Sequence, residues 1–159
     1  MGSRSKVIDA YIAGFLDGDG SLMLQLKKRK DGRMDHRFMA TICFYQDTRH
    51  DGPLAWIRRV FGIGYLSKRN DGMSELRING YKQVKRVLEL LLPYIRFKRK
   101  QARALIEACE ILSSAKPSKL GSQKLKRLVD LILAIQNENY IARRKKTKEE
   151  LYTTLGLTP

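Results

Sequence analysis

A chain of 159 residues with 43% hydrophobic side chains can bury one sizeable core, and a single domain is predicted. Lys and Arg number 32 against 16 Asp and Glu, a net charge of +16; this points to a polyanionic partner, nucleic acid first, or to a merely soluble basic protein. Two isolated cysteines, two histidines and no apolar run of membrane-spanning length argue against a disulfide framework, a Cys/His zinc site and a transmembrane span.

The cysteine usage fits a reducing compartment, and no secretory signal peptide is expected. Met1-Gly2-Ser3 reads as an artificial start. The domain is expected over residues 7–159, with 1–6 ahead of it. Residues 11–21, YIAGFLDGDGS, form an apolar helix that ends in acids and glycines. Ala10, Ala13 and Gly14 recur at i, i+3 and i+4, so they share a face on which two helix backbones can approach. Gly18 and Gly20 then break the helix. Asp17 and Asp19 stand at its C-terminal end, where the helix dipole repels anions, so Asp19 calls for a partner cation. Taken alone, DGDG is more often an ordinary helix cap and turn than a cation site.

Residues 21–30 alternate. Leu22, Leu24 and Leu26 point one way; Ser21, Met23, Gln25, Lys27 and Arg29 point the other, as in a half-buried strand. A turn at residues 30–33 leads to a returning strand, 36–46. Its apolar face is Phe38, Ala40, Ile42 and Phe44; its other face is Arg37, Met39, Thr41, Cys43 and Tyr45. Pro53 sits in the first turn of a short helix, 54–61. Strands 65–69 and 73–79 flank Asn70-Asp71-Gly72, a hairpin signal. Leu66, Leu76 and Ile78 are expected toward the core, and Tyr65, Ser67, Arg69, Glu75 and Arg77 outward. Helices follow over 81–92, 97–112 and 123–139, with a loop at 113–122. Thr147 to Glu150 has the spacing of a capping box before a last short helix.

The outward face of this antiparallel sheet is rich in Gln, Lys and Arg. A solvated outer face is common. Against that reading, its long donors suit base edges: Arg and Lys for guanine, Gln for adenine, Glu for cytosine. A two-stranded ribbon also fits a major groove. The run Arg143-Arg144-Lys145-Lys146 is a solvated basic turn, a localisation patch or a phosphate grip.

The segment Ile12-Ala13-Gly14-Phe15-Leu16-Asp17-Gly18-Asp19-Gly20 resembles the LAGLIDADG motif of homing endonucleases. The resemblance extends to Tyr45-Gln46-Asp47-Thr48, to Phe97-Lys98-Arg99-Lys100-Gln101-Ala102 and to the turn Ser114-Ala115-Lys116. It implies an α+β, αββαββα fold with extra C-terminal helices, whose antiparallel sheet forms a DNA-binding saddle. One copy of the motif implies a homodimer, with Ala10, Ala13 and Gly14 at the helix–helix seam. Asp19 and the Gly18 carbonyl correspond to metal ligands, and Asp19, Gln46 and Lys98 to the catalytic set. Asp17 corresponds to a structural acid. Relatives often place an Arg just after the Gln segment, where this chain has Arg49-His50. The implied DNA contacts are Gln25, Lys27, Arg29, Arg37, Tyr65, Ser67, Arg69, Glu75, Arg77, Lys116 and Arg143, Arg144, Lys145 and Lys146.

The implied activity is Mg²⁺-dependent, site-specific double-strand cleavage of a long, near-palindromic DNA site, cut across the minor groove to leave short 3′ overhangs. Mn²⁺ or Ca²⁺ are alternative occupants. Other functions on this scaffold are an intron-RNA maturase and a non-cleaving DNA-binding protein. The compartment implied is a chloroplast, a mitochondrion or an archaeal cytoplasm, with no membrane partner.

Overall fold

The computed structural model describes residues 5–28, 36–139 and 145–159. Helix α1 (Lys6–Asp19) begins where Ser5 Oγ accepts a hydrogen bond from the Val7 amide at 3.2 Å, the usual way a Ser satisfies an orphan donor. Ser5 and Lys6, expected ahead of the domain, therefore belong to it. The chain passes straight from α1 into strand β1 (Gly20–Lys28). A side chain at Gly20 would meet the Leu16 carbonyl oxygen at 2.8 Å and the Cys43 carbonyl oxygen at 3.0 Å. Only glycine lets the helix turn so closely onto the sheet.

Strand β2 (His36–Asp47) pairs antiparallel with β1, Gly20 opposite Phe44 and Lys28 opposite His36. Helix α2 (Gly52–Phe61) carries Pro53 in its first turn and ends at left-handed Gly62. Strands β3 (Tyr65–Lys68) and β4 (Met73–Asn79) form the second hairpin, and β4 pairs with β2. The sheet order is β1-β2-β4-β3. Helices α3 (Tyr81–Leu91), α4 (Arg99–Ser114), α5 (Ser122–Glu138) and α6 (Lys148–Leu155) complete the chain. The order is the expected αββαββα with added C-terminal helices. Among the described residues, no helix is long and apolar enough to cross a membrane.

The core lies between one sheet face and the helices. Leu22, Leu24, Leu26, Phe38, Ala40, Ile42, Phe44, Leu76 and Ile78 are all buried there, as the alternation predicts. Leu66 is the exception, at 38% exposed. It lies on the short edge strand β3, which is hydrogen-bonded to β4 alone, so its outer flank stays open. The opposite error occurs on the outward face: Thr41 and Cys43 are buried. Both sit on β2, which has a strand on each side, so neighbouring side chains cover them. The capping box forms as predicted: the Glu150 amide donates to Thr147 Oγ1 and the Thr147 amide to Glu150 Oε2.

Candidate active site

The two acids at the end of α1 have different surroundings. The Asp17 carboxylate accepts three backbone N–H bonds, from Arg96 (2.7 Å), Phe97 (3.3 Å) and Lys98 (3.0 Å). These are orphan donors ahead of α4. They explain why the helix expected from residue 97 starts at Arg99: the preceding residues are held in a turn. In return, Lys98 Nζ donates to the Asp17 carbonyl at 2.7 Å. A cation thus meets the negative end of α1, whose own last turn has no basic residue.

Asp19 is exposed. Among the described residues, no hydrogen bond or ion pair engages its carboxylate. Burial lowers the Lys98 ammonium from its ordinary value, and the charges of Asp17 and Asp19 oppose that shift. The site therefore holds one uncommitted carboxylate beside a partly desolvated lysine. Among the described residues, no three His, Cys, Asp or Glu side chains gather to hold a metal ion. What one chain offers, the Asp19 carboxylate with the Gly18 carbonyl, is an open set of hard oxygen donors. Mg²⁺ and Ca²⁺ accept such a set when phosphate oxygens and waters complete it, so the residues fit a divalent ion shared with a nucleic-acid backbone.

Gln46 lies near the end of β2, two residues beyond Phe44, which stands opposite Gly20. Its side-chain oxygen accepts from the Asp47 amide at 2.9 Å, which leaves the NH₂ end as its donor. Neither Gln46 nor Lys98 is hydrogen-bonded to Asp19. Asp47 then receives a two-pronged contact from Arg49, Nε to Oδ1 at 3.0 Å and Nη2 to Oδ2 at 2.8 Å, and the Arg49 amide also donates to Oδ1. Arg49 holds the Asp47 carboxyl well below the usual range. Sequence reading left Arg49 and His50 open and missed this fork. An Asp two residues before an Arg at a strand end is an Asx-turn signal that would have found it. His50 is exposed.

The candidate DNA contacts divide. Gln25, Lys27, Arg37, Tyr65, Ser67, Arg69, Glu75 and Arg77 share the sheet face away from the helices, as their alternation predicts. The register lines up Cys43, Arg77 and Tyr65 across three strands, and Tyr45, Glu75 and Ser67 beside them. Glu75 is buried, however, in contact with Ser67, Arg77 and Cys43. Arg69 lies 6.0 Å from the Tyr45 ring centre and pairs with Asp71. Lys116 and Lys145 are exposed. Lys146, also exposed, differs from expectation: its Nζ donates to the Leu26 carbonyl at 2.7 Å, which tethers the ammonium to the open edge of β1. Arg29, Arg143 and Arg144 lie outside the described residues.

The expected seam on α1 also needs correction. Ala13 is fully buried in this chain's own core and cannot face a second chain. The side of α1 left open carries Val7 (76% exposed), Tyr11 (57%), Gly14 and Gly18, spaced i, i+4, i+7 and i+11, with Ala10 beside them. A side chain at Gly14 or Gly18 would meet nothing in this chain within 4 Å. Tyr11 meets Trp56 edge-on at 5.6 Å. Val7, Ile8, Tyr11, Gly52, Pro53 and Trp56 line a shallow apolar groove of about 550 Å³.

The geometry coincides with known proteins. Residues 12–112 match the family model described as LAGLIDADG endonuclease. The chain is 30% identical over 145 residues to DNA endonuclease I-CreI of Chlamydomonas reinhardtii, covering 91% of this chain and 86% of that one. It is 36% identical over 107 residues to DNA endonuclease I-CvuI of Chlorella vulgaris, covering 67% of this chain and 66%, just under two thirds, of that one. A crystal structure of I-CvuI in complex with its target in the presence of Ca superposes with a TM-score of 0.83 at 27% identity, covering 97% of this chain and 98% of that one. An archaeal intron-encoded homing endonuclease, I-Vdi141I, shares the fold at 20% identity, with a TM-score of 0.80 over 96% of this chain and 97% of that one. On the extent of the motif match and of these alignments, the chain belongs to the LAGLIDADG endonuclease family.

Proposed function

We propose that this chain is a site-specific endodeoxyribonuclease that acts as a homodimer, with Mg²⁺ as its working ion. The observation that carries the reading is the end of α1: an exposed, unengaged Asp19 held beside Lys98 through Asp17. Structures of the relative I-CvuI were solved with DNA targets in the presence of Mg, where the DNA was not cleaved, and in the presence of Ca, which supports a divalent ion. The open, glycine-bearing side of α1 and the adjoining apolar groove support a second copy as the partner. Two-fold packing through α1 would bring two Asp19 carboxylates together, and like charges at short range favour an intervening cation.

Asp19 and the Gly18 carbonyl would hold the ion. A divalent ion bound there supplies charge stabilisation at the attacking and leaving oxygens of a phosphodiester. Lys98 would supply an ammonium to offset the developing charge. The free amide of Gln46 is suited to orient a water or a phosphate oxygen. On the sheet, Gln25, Lys27, Arg37, Tyr65, Arg69 and Arg77 would face a DNA groove, and a two-fold dimer would read a near-palindromic site.

The test is incubation of the purified chain with a randomised duplex library in Mg²⁺, in Ca²⁺ and in chelator. The expected result is cleavage at one long, two-fold-related sequence, dependent on a divalent ion. Asp19→Asn should abolish cleavage while preserving the circular-dichroism spectrum and DNA binding, because volume is kept and charge removed. No DNA cleaved in the presence of a divalent ion, or cleavage unaffected by Asp19→Asn, overturns the proposal.

A further inference from the structure

On the outward sheet face, Glu75 lies among the donors, and its environment departs from that of a base reader. Glu75 is buried, and its side chain is 11% exposed against 27% for Arg77. Its Oε1 accepts from Arg77 Nη2 at 3.1 Å and from Ser67 Oγ at 3.4 Å. Its Oε2 accepts from Cys43 Sγ at 3.8 Å. With its side chain 11% exposed and Arg77 and Ser67 against Oε1, this carboxylate has little surface left with which to reach a cytosine. Arg77 is complementary. Its Nε is buried without a hydrogen-bond partner, and one Nη2 hydrogen goes to Glu75. Three N–H groups remain on the two terminal nitrogens, the pair that can meet guanine O6 and N7 together.

We infer that Glu75 is a positioning residue: it holds the Arg77 guanidinium with its terminal nitrogens free, so that one position in each half-site is read as guanine by Arg77 and none is read by Glu75. Residues two apart on β4 stand on the same face, and the neighbours Cys43 and Tyr65 flank Arg77 on both sides. An arginine already held pays less ordering cost on binding. The paired charges also keep an unneutralised acid off a surface that faces phosphates. The inference rests on the DNA-reading function proposed above.

The experiment measures relative cleavage of all four bases at every half-site position, starting from the site the wild type selects. It compares wild type, Arg77→Ala, Glu75→Gln, Glu75→Ala and the Arg77→Ala/Glu75→Gln double variant. Wild type should prefer guanine at one position by about five- to 150-fold, the worth of one bidentate base contact. Arg77→Ala should flatten that position. Each Glu75 variant should weaken the same preference by about twofold or more, the lower range for residues in contact, and leave the other positions unchanged. In the double variant, loss of Glu75 should add nothing. The inference is overturned if Glu75→Gln alters preference at a different position. It is also overturned if the two effects add, or if the Glu75 variants lower all positions alike, as a purely structural loss would. A wild type that selects no site overturns the proposed function, and this inference with it.

Discussion

Asp17 and Asp19 are separated by one glycine, and their difference is set by what their oxygens meet. Asp17 accepts from the three amides of the turn that leads into α4. Leaving such backbone donors without their acceptor typically costs about 1–3 kcal/mol. Asp17→Ala should therefore lower the melting temperature and also reduce cleavage, because the turn that carries Lys98 loses its hold on the carboxylate, although the contact of Nζ with the Asp17 carbonyl remains available. A melt combined with cleavage at a temperature where the variant is fully folded separates the two effects; full activity in the folded variant would show that Lys98 needs no such placement. Lys98 gives a pH test. Its folded value lies below 10.5 because burial penalises the charge. Between that lowered value and 10.5 the unfolded chain binds more protons, so stability contributed by this group rises with pH. The penalty is full below the folded value and gone above the unfolded one. Compared with Lys98→Met, which cannot titrate, wild type should gain relative stability as pH climbs toward 10.5. A constant difference across that window would contradict the burial argument.

At the level of elements, the glycines of α1 and its boundary differ in what a side chain would strike. Gly20→Ala drives a methyl into the Leu16 and Cys43 carbonyl oxygens. Overpacking of this kind costs about 1–3 kcal/mol, so the variant should melt early. Gly14→Leu meets nothing in its own chain. It should keep its circular-dichroism spectrum while losing the dimer in sedimentation, and with it double-strand cleavage. A dimeric Gly14→Leu would place the subunit contact elsewhere. Much of this architecture is legible in the sequence, since period-two runs and turn residues report local geometry. Leu22 to Leu26 and Phe38 to Phe44 lie where alternation puts them. Alternation gives the face of a residue but not its cover. For that reason it missed the exposure of Leu66 on an edge strand and the burial of Cys43 and Glu75 on a central one. The Ala10, Ala13, Gly14 face was misjudged for a related reason. Helical spacing groups small residues, but only the docked sheet decides that Ala13 turns inward and Val7, Tyr11, Gly14 and Gly18 remain open. At the proposed site, the motif marks Asp19 and two further segments of the resemblance mark Gln46 and Lys98, whereas the Asp47–Arg49 fork depends on a turn whose geometry exists only once β2 ends.

For the molecule as a whole, a net charge of +16 makes salt the main control on DNA affinity, with each phosphate contact adding about 0.9 to the slope of log affinity against log salt. Lys145 is exposed, whereas the Lys146 ammonium is held by the Leu26 carbonyl. Lys145→Ala should therefore flatten the slope by about one unit without altering the preferred site, and Lys146→Ala should change it less while lowering the melting temperature. Equal slopes for the two variants would refute this division. The Asp17 link spans the chain in another sense. It joins positions 79 to 81 residues apart, so the loop between them must close before the site exists. During synthesis, the acid at residue 19 is made long before the lysine at residue 98. A nascent chain, or a fragment cut between them, carries the acid without the lysine. Competence to cut DNA would thus arrive only after all four strands have emerged and α4 has docked, so an unfinished chain would leave DNA intact.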